Sequence, residues 1–247
     1  MDYNFEKLKM EFEAILKMGW IKSDMIGSSG AGILFEKLLG KMVDNLEVPD
    51  YHGIEVKTMY ATKYLYVSLF NATPDSFLFE IKRIHEKYGY CDKANIDYKV
   101  FNASIYGNKS RVVSGMYAMK LIVDRLSKKI VFKIYDQREL VTDSLTSWSF
   151  DLIQEKLIRK LKYLLFVKVE RKWNNGVYYR YTDATLFKLK GFDTFLELIE
   201  SGDIRVTFKI SVFRHGSRIS QVHDHGTSFD IHEDSLNKLF DVIYKLG

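Results

Sequence analysis

The sequence predicts an α+β fold with a mixed sheet, because helical and strand-like patterns follow each other irregularly along the chain. The 16 tyrosines and 17 phenylalanines favour strands as well as helices. With 47% hydrophobic and 28% charged residues, the 247-residue chain is long enough to bury a sizeable core in one large domain or two lobes. Its two prolines and the absence of low-complexity runs argue against a long disordered linker.

The first 90 residues show helical and strand-like patterns in turn. Phe5, Leu8 and Phe12 follow the three-and-four spacing of an amphipathic helix, which Gly19 ends. A second apolar run with helical spacing follows a glycine-rich segment, and two runs then alternate as strands do. The predicted elements are helices at 3–18, 32–43 and 75–88, and strands at 53–60 and 63–70.

The remaining residues contain further strands and three helices. The clearest helix has Ile153, Leu157 and Leu161 on one face and basic residues on the other. The turn signal Asn174-Asn175-Gly176 predicts that the strands on either side of it pair. The predicted strands are 97–106, 112–124, 128–136, 163–170, 177–190, 204–213 and 218–224, and the predicted helices are 146–162, 193–201 and 233–245.

Composition limits the classes of protein that this chain belongs to. A net charge of +5 and a pI near 9.0 permit a polyanionic partner without requiring one. The single Cys91 excludes an intramolecular disulfide and a cysteine-rich zinc site, which suits a reducing cytoplasm. The charged N-terminal segment lacks the apolar core of a signal peptide, and no window is apolar enough to span a membrane. We expect a soluble protein of the prokaryotic cytoplasm.

The segment from Gly27 to Thr58 contains the residues most suggestive of chemistry. In a strand, Glu55 and Lys57 point to one face, and Asp50, which follows Pro49, can fold back to meet them. Two carboxylates and a lysine that converge on one point can hold a divalent cation against a phosphate. The pattern therefore favours a Mg²⁺-dependent endonuclease that acts on DNA.

Each residue of this segment has an expected role in phosphodiester hydrolysis. Asp50 and Glu55 are the expected Mg²⁺ ligands, with the carbonyl of Val56 as a further ligand. Lys57 would position or deprotonate the attacking water and offset the developing negative charge. Glu36, on the flank of an apolar helix, could orient a water molecule or hold a second ion. The alternative is that all of them are solvated charges beside buried elements.

The same segment resembles the signature of a nuclease family. The run G-x-G-x-x-x-E-x-x-L-G, then P-D, then G-I-E-V-K-T is similar to the MutH-like branch of the PD-(D/E)XK nucleases. That branch includes mismatch-repair nicking enzymes and restriction endonucleases of the MvaI/BcnI type. By this resemblance Glu36 is the helix glutamate, Asp50 and Glu55 bind metal, and Lys57 is the catalytic lysine.

A looser similarity continues beyond the signature. It begins near Trp148 and extends through the strand 164–170 into 204–218, where the branch also has a strand, a His-Gly turn and a strand. The stretch 76–144 has no counterpart in the nicking enzymes, so the chain is more similar to the MvaI/BcnI type. The spacing of the motifs and the length of the chain agree with that type.

The resemblance implies a fold, a reaction and partners. The fold would be a PD-(D/E)XK core, with a mixed central sheet flanked by helices, plus a second DNA-recognition lobe. The reaction would be that of a type II restriction endonuclease, which cleaves double-stranded DNA at a CC-N-GG-type site, expected to be CCWGG.

The resemblance also implies one or two Mg²⁺ ions as cofactors, with Mn²⁺ as a substitute and Ca²⁺ supporting binding without cleavage. A monomer is expected, with a cognate DNA methyltransferase as its cellular counterpart. We expect a catalytic lobe at 1–80 and 145–195, and a recognition lobe at 81–144 and 196–247.

Two other functions stay open from the sequence. A mismatch-repair nicking enzyme would share the chemistry but would need an activating partner. A nucleic-acid-binding module would use the acidic cluster only structurally, and replacing Asp50 would then leave its function intact.

Reading base edges requires a separate set of donors and acceptors, because phosphate contacts carry no sequence information. The C-terminal hairpin is the best candidate, since a β-ribbon fits the major groove. In a strand at 218–224, Arg218, Ser220 and Asp224 would share one side. The expected DNA-contacting residues are Lys209, Arg214, His215, Arg218, Gln221, His223, Asp224 and His225.

Two further surfaces permit alternative interpretations. His223 and His225 would share a face and could hold a metal, although no cysteine lies nearby, and the hairpin could also be a surface without function. The basic residues of the helix at 146–162 and of the strand after it could track phosphates or could simply be solvated. These basic residues are Lys156, Arg159, Lys160, Lys162, Lys168, Arg171 and Lys172.

Overall fold

The structure of the protein is a computed structural model that describes residues 3–25, 27, 29–40, 49–60, 65–76 and 79–247. The described helices are α1 (Tyr3–Lys17), α2 (Gly30–Leu38), α3 (Glu80–Tyr88), α4 (Phe150–Leu161), α5 (Phe192–Glu200) and α6 (Leu236–Leu239). The described strands are β1 (Ile21–Ser23), β2 (Glu55–Tyr60), β3 (Tyr66–Asn71), β4 (Tyr90–Cys91), β5 (Lys99–Tyr106), β6 (Arg111–Val113), β7 (Tyr117–Asp124), β8 (Lys129–Tyr135), β9 (Val141–Asp143), β10 (Ser147–Ser149), β11 (Tyr163–Trp173), β12 (Val177–Leu189), β13 (Ile204–Val212), β14 (Val222–Asp224), β15 (Ser228–His232) and β16 (Phe240–Leu246). The predicted mixed α+β class is confirmed.

The chain forms two compact units. The first contains residues 1–67, 156–190 and 236–247, and the second contains residues 68–155 and 191–235. No helix in the described ranges is long and apolar enough to cross a membrane.

The first unit is built on a mixed sheet with the strand order β1-β12-β11-β2, in which β16 also pairs with β12. β2 runs parallel to β11, and the register sets Leu164 opposite Glu55. Helices α1 and α2 supply the apolar residues that cover this sheet, including the buried Phe12 and Phe35. The ring of Tyr181 packs 4.9 Å from that of Phe35, and its hydroxyl donates to the carbonyl of Ala31 at 2.7 Å. Tyr181 of β12 therefore holds the start of α2 against the sheet.

The second unit contains two sheets, β10-β8-β7-β6 with β9, and β3-β15-β13-β5-β4 with β14. Their aromatic side chains meet in a common core, where the ring of Phe132 lies 5.0 Å from that of Phe208. Trp148 is fully buried in this core and donates its indole N–H to the carbonyl of Ala72 at 2.9 Å. Large aromatic residues of this kind dominate the burial that stabilises such a core.

The helix predicted at 233–245 is wrong. α6 has four residues, and the chain then continues as β16, which pairs antiparallel with Ala184–Leu189 of β12. Leu236, Leu239 and Phe240 do follow helical spacing, but β12 offers a row of backbone groups that a neighbouring strand satisfies. Residues 236–247 belong to the first unit.

The strand predicted at 218–224 is too long, because β14 contains only Val222–Asp224. Before it, the chain turns: Ile219 N–H donates to the Gly216 carbonyl at 3.2 Å, and Ser220 has a left-handed φ of 65°. The predicted alternation of Arg218 and Ser220 on one side of a strand is therefore wrong. The short strands β1, β4, β9 and β15 have no counterpart in the prediction, and β10 occupies the first turn of the helix predicted at 146–162.

Three other predicted elements include residues outside the described ranges. α2 begins at Gly30 and ends at Leu38, and the predicted positions 41–43 fall outside. The same holds for positions 63–64 of the strand observed as β3 and for positions 77–78 of the helix observed as α3.

Candidate active site

A tight turn holds Asp50 close to the start of β2. Tyr51 and Ile54 exchange two backbone hydrogen bonds of 2.9 and 2.8 Å, and His52 and Gly53 between them both have positive φ, 44° and 87°. Such a two-residue turn matches the twist of the strands that it joins. The side chains of Tyr51 and Ile54 are buried in the apolar core of the first unit, which anchors the turn.

Asp50 folds back onto the residue that follows Glu55. Its Oδ2 accepts a hydrogen bond from the backbone N–H of Val56 at 3.0 Å. In a strand the N–H and C=O of one residue point the same way, so the carbonyl of Val56 also points toward the side on which Asp50 lies. β2 is the last strand of the described sheet, next to β11. The Val56 carbonyl therefore points away from β11 and does not accept a hydrogen bond from it.

Glu55 is a buried carboxylate that two lysines approach. Only 1% of Glu55 is exposed, and its Oε1 lies 2.7 Å from Nζ of Lys57 and 3.5 Å from Nζ of Lys160. Its other oxygen, Oε2, is buried and accepts no hydrogen bond from any described residue. A buried carboxylate oxygen without a hydrogen-bond donor can accept a cation or a water molecule.

These residues fit a divalent cation. Mg²⁺ takes one or two protein carboxylates and fills its other positions with water and phosphate oxygens. Asp50, Glu55 and the carbonyl of Val56 supply oxygen donors, and the buried Oε2 of Glu55 accepts no hydrogen bond from the described residues. No group of three or more His, Cys, Asp or Glu side chains in the described part of the chain comes together as a metal cage.

Glu36 lies on α2, which packs closely on β2. The helix approaches β2 at Gly32, where a Cβ atom would lie 3.4 Å from Oγ1 of Thr58. Glu36 is half-buried and one helical turn further on, so it lies on the same face of α2 as Gly32. The structure does not gather Glu36 into a three-residue cluster with Asp50 and Glu55.

Gly32 offers a test of how the position of α2 affects activity. We expect Gly32→Val to lower the cleavage rate about tenfold, because its extra methyl groups would push α2 and Glu36 away from β2. Gly32→Ala is the control, since a Cβ at 3.4 Å from Thr58 is an ordinary contact and alanine favours the helix. The cleavage rate and the thermal unfolding of both variants are measured. Equal cleavage rates would contradict the expectation that the position of α2 affects activity.

The predicted DNA-contacting residues divide into several groups. The register places His223 opposite Ser211, and Nε2 of His225 lies 2.6 Å from Oγ of Ser211, so both histidines are on the exposed face of β13 and β14. Lys209 is exposed on the same face of β13, and its Nζ lies 3.5 Å from Oγ of Ser228. His215 and Gln221 are exposed in the turn region.

An aromatic stack orders part of this surface. The guanidinium of Arg218 lies 4.1 Å from the centre of the Phe213 ring, and that ring stacks on His223 at 4.2 Å. His223 in turn meets His225 edge-on at 4.3 Å. Burial and the neighbouring His223 lower the pKa of His225, which favours its neutral form. No pattern in the sequence indicates that Phe213 joins these side chains.

Like Lys209 and His225, Asp224 and Arg214 are engaged within the protein. Asp224 accepts hydrogen bonds from Gly226 N–H and from the Thr227 hydroxyl, both at 2.9 Å, and so stabilises its own turn. Arg214 pairs with Asp92. The histidines 223 and 225 do not form a group of three metal-binding side chains with any described residue.

The sequence did not identify Lys160 as a member of the Glu55 cluster. The sequence places it among basic residues that could track phosphates or could simply be solvated. One feature of the sequence could have indicated this position. The helix that contains Lys160 continues directly into a strand, and that strand pairs with β2.

The comparisons with known proteins agree with this site. The model of the MvaI/BcnI restriction endonuclease family matches residues 9–240. The chain is 30% identical to a solved structure of the restriction endonuclease MvaI in complex with its cognate DNA substrate, with a TM-score of 0.88 and 98% of each chain covered. It is 29% identical to MvaI in the absence of DNA, with a TM-score of 0.65, and the match covers 100% of this chain and 99% of that one.

A search of curated proteins gave no match. The family match confirms the resemblance found in the segment from Gly27 to Thr58. Restriction endonucleases of this kind generally use divalent metal ions, as the carboxylates beside β2 suggest. The chain belongs to the MvaI/BcnI restriction endonuclease family and is a type II site-specific DNA nuclease.

Proposed function

We propose that this protein uses Mg²⁺ to hydrolyse both strands of duplex DNA at a CC-N-GG-type site, with CCWGG as the expected sequence. The main supporting observation is the pair Asp50 and Glu55, held by a four-residue turn, with the buried Oε2 of Glu55 unpaired and Lys57 alongside. The solved complex of MvaI with its cognate DNA supports duplex DNA as the substrate. Mn²⁺ is expected to replace Mg²⁺, and Ca²⁺ to support binding alone.

In this proposal each residue near β2 has a defined task. Asp50, Glu55 and the Val56 carbonyl would hold one or two Mg²⁺ ions, which supply positive charge beside the scissile phosphate. Lys57 orients the attacking water or takes its proton and offsets negative charge on the phosphate. Glu36 orients the water from α2. Such preorganised charges account for a large part of enzymatic rate enhancement.

The assignment of tasks to the two units is also a proposal. The first unit contains Asp50, Glu55 and Lys57 and would carry out the chemistry. The second contains the exposed face around His223 and would read bases. The predicted lobe limits, 1–80 with 145–195 and 81–144 with 196–247, remain predictions. We also propose that the protein acts as a monomer and that a cognate methyltransferase protects the host DNA.

Arg218 is the residue we expect to contribute most to sequence discrimination. Arginine donates two hydrogen bonds to guanine in the major groove, and the stack on Phe213 holds this guanidinium in place. Arg218→Ala should weaken binding to the cognate site about tenfold more than binding to random DNA, since one base contact is worth roughly 1–3 kcal/mol of discrimination. Binding is measured in Ca²⁺ at one fixed salt concentration.

A matched control for Arg218 is Arg138→Ala, which removes an exposed arginine from the β8–β9 turn. Equal losses of cognate and random binding in Arg218→Ala would mean that Arg218 contacts phosphate and not a base.

One experiment tests the function as a whole. The purified protein is incubated with plasmid DNA and Mg²⁺, and the ends of the products are sequenced. Double-strand breaks at one recurring short site support the proposal. Nicks only, dependent on a second protein, would favour a mismatch-repair nicking enzyme, and DNA binding without any cleavage would favour a non-catalytic module.

A further inference from the structure

The end of the β11–β12 hairpin contains a cluster of basic and aromatic side chains. The ammonium of Lys172 lies 4.2 Å from the centre of the Trp20 ring and 5.7 Å from that of the Tyr178 ring. The guanidinium of Arg180 lies 5.1 Å from the centre of the same Trp20 ring. Lys22 of β1 is the register partner of Tyr178. These five residues are called the hairpin cluster below.

The register of the sheet places the hairpin cluster on the face that contains Glu55 and Lys57. Directly paired residues of neighbouring strands share a face. Leu164 pairs with Glu55, and Phe166 pairs with Lys57, in the parallel pair of β11 and β2. Every second residue of a strand points to the same face, so this face continues along β11 from Phe166 to Lys172.

The residues buried on the opposite face agree with this assignment. Val56 of β2, Val167 and Val169 of β11, Tyr179 of β12 and Ile21 of β1 all belong to or pack against the apolar core that α1 and α2 also enter. The strand residues of the hairpin cluster lie an odd number of positions from these residues, and they therefore point away from that core.

The distance along β11 separates the hairpin cluster from the reacting phosphate. Lys172 lies six residues beyond Phe166, the partner of Lys57, which is about 20 Å at roughly 3.3 Å per residue. A DNA strand rises about 3.4 Å per nucleotide, so this length corresponds to about six base pairs. The proposed CC-N-GG site is shorter than that. A duplex that follows this face reaches the hairpin cluster outside the site.

The hairpin cluster presents cations in ordered positions. Lys22 and Lys172 are exposed, and the side chain of Arg180 is 44% exposed. Arg180 donates through Nε and one terminal nitrogen to Oε2 of Glu170, at 2.9 and 2.6 Å. Glu170 offsets the charge of Arg180, so the two lysines give the hairpin cluster its net positive charge. The ring of Trp20 restricts Lys172, which lowers the entropy that this lysine loses on binding an anion.

We propose that the hairpin cluster binds backbone phosphates of duplex DNA outside the recognition sequence, about six base pairs from the scissile bond. The inference rests on the proposed function, since it takes the duplex to lie on the face that contains Glu55 and Lys57. Trp20 already contacts two cations, which favours a phosphate over a stacked base as the ligand. Phosphate contacts carry no sequence information, so the affinity gained is the same for any flanking sequence.

The experiment changes the lysines and the flanking phosphates separately. The double variant Lys22→Gln with Lys172→Gln is compared with the wild type on two cognate duplexes of equal length and sequence. In the second duplex, uncharged methylphosphonate linkages replace all phosphates outside the site. Binding is measured in Ca²⁺ over a range of salt concentrations, and folding by thermal unfolding.

The expected result is a loss that requires both the lysines and the flanking charge. The wild type should bind the neutral-flank duplex about tenfold less tightly than the charged one, and the double variant should bind the charged duplex about tenfold less tightly than the wild type does. On the neutral-flank duplex the two proteins should bind equally. On the charged duplex the dependence of log affinity on log salt should fall by about two in the double variant, since each phosphate contact contributes roughly 0.9.

Two further variants serve as controls. Lys7→Gln removes a lysine whose side chain is also 44% exposed, but α1, which contains it, packs against the opposite face of the sheet. This variant should respond to the flanking charge as the wild type does. Replacing Lys22 and Lys172 by arginine keeps both charges and should keep the response.

The outcomes distinguish this inference from the proposed function. Equal affinity of the wild type for the two duplexes would overturn the inference, as would an equal loss of the double variant on both. A wild-type protein that cuts the site in Mg²⁺ but ignores the flanking charge would refute only the role of the hairpin cluster. A wild-type protein that responds to the flanking charge but never cuts would refute the proposed hydrolysis and leave the flanking contact supported.

Discussion

Replacing Asp50 by asparagine is expected to lower the rate of DNA cleavage about 1000-fold, the range seen when a group that stabilises the transition state is removed. Asparagine keeps an oxygen that can accept the hydrogen bond from Val56 N–H, so the turn at 51–54 should be preserved. What is lost is the negative charge that binds the cation. Asp50→Ala should be equally inactive, although it also loses the hydrogen bond.

Binding and folding measurements separate this chemical effect from general damage. Cognate DNA binding in Ca²⁺ should survive in Asp50→Asn, because the exposed face of β13 and β14 is unchanged. Asp136→Asn alters a similar residue, the aspartate that caps the β8–β9 turn, and should cut normally. Cleavage by Asp50→Asn at the wild-type rate would refute the assignment of Asp50 as a metal ligand.

Replacing Lys57 by alanine should lower the cleavage rate by a similar factor, about 1000-fold. The variant removes the ammonium 2.7 Å from Oε1 of Glu55 and leaves that buried carboxylate with Lys160 alone. We expect DNA binding in Ca²⁺ to change little, since the loss affects the reacting phosphate more than the bound duplex. Quenched-flow rates and binding in Ca²⁺ are measured side by side.

Lys57→Arg distinguishes the two tasks proposed for this lysine. Arginine keeps the positive charge but does not give up its proton near neutral pH. If Lys57 only offsets charge, the arginine variant should keep part of the activity. If it takes a proton from water, the arginine variant should be as inactive as the alanine variant. Wild-type rates in Lys57→Ala would exclude both tasks.

The parts of the site that the sequence predicted are those that depend on neighbouring residues. The alternation of Glu55 and Lys57 along a strand is a local property, and Lys57 does reach Glu55. Asp50 lies five residues before Glu55, and the Pro49 and Gly53 positions indicate a turn. The family resemblance added Glu36, whose position on α2 has no chemical signature of its own.

The parts that the sequence did not predict depend on which strands become neighbours. Lys160 reaches Glu55 only because β11 pairs in parallel with β2, more than 100 residues away in the chain. The helix predicted at 233–245 failed for the same reason, because helical spacing in 236–243 was outweighed by pairing with β12. In the hairpin around His223, the left-handed Ser220 interrupts a pattern that alternation alone would continue.

The turn at Tyr51–Ile54 has a consequence for how the site tolerates changes elsewhere. Only four residues separate Asp50 from Glu55, and the turn that these residues form brings the two carboxylates together. Pairing between strands is not needed for that approach. Insertions or deletions that end before Pro49 should consequently leave the spacing of these two carboxylates intact. Lengthening the His52-Gly53 turn by even one residue should separate them. The six residues from 50 to 55 thus form a short segment that keeps its two carboxylates together. In principle this segment could be placed before any buried strand that begins at a sheet edge.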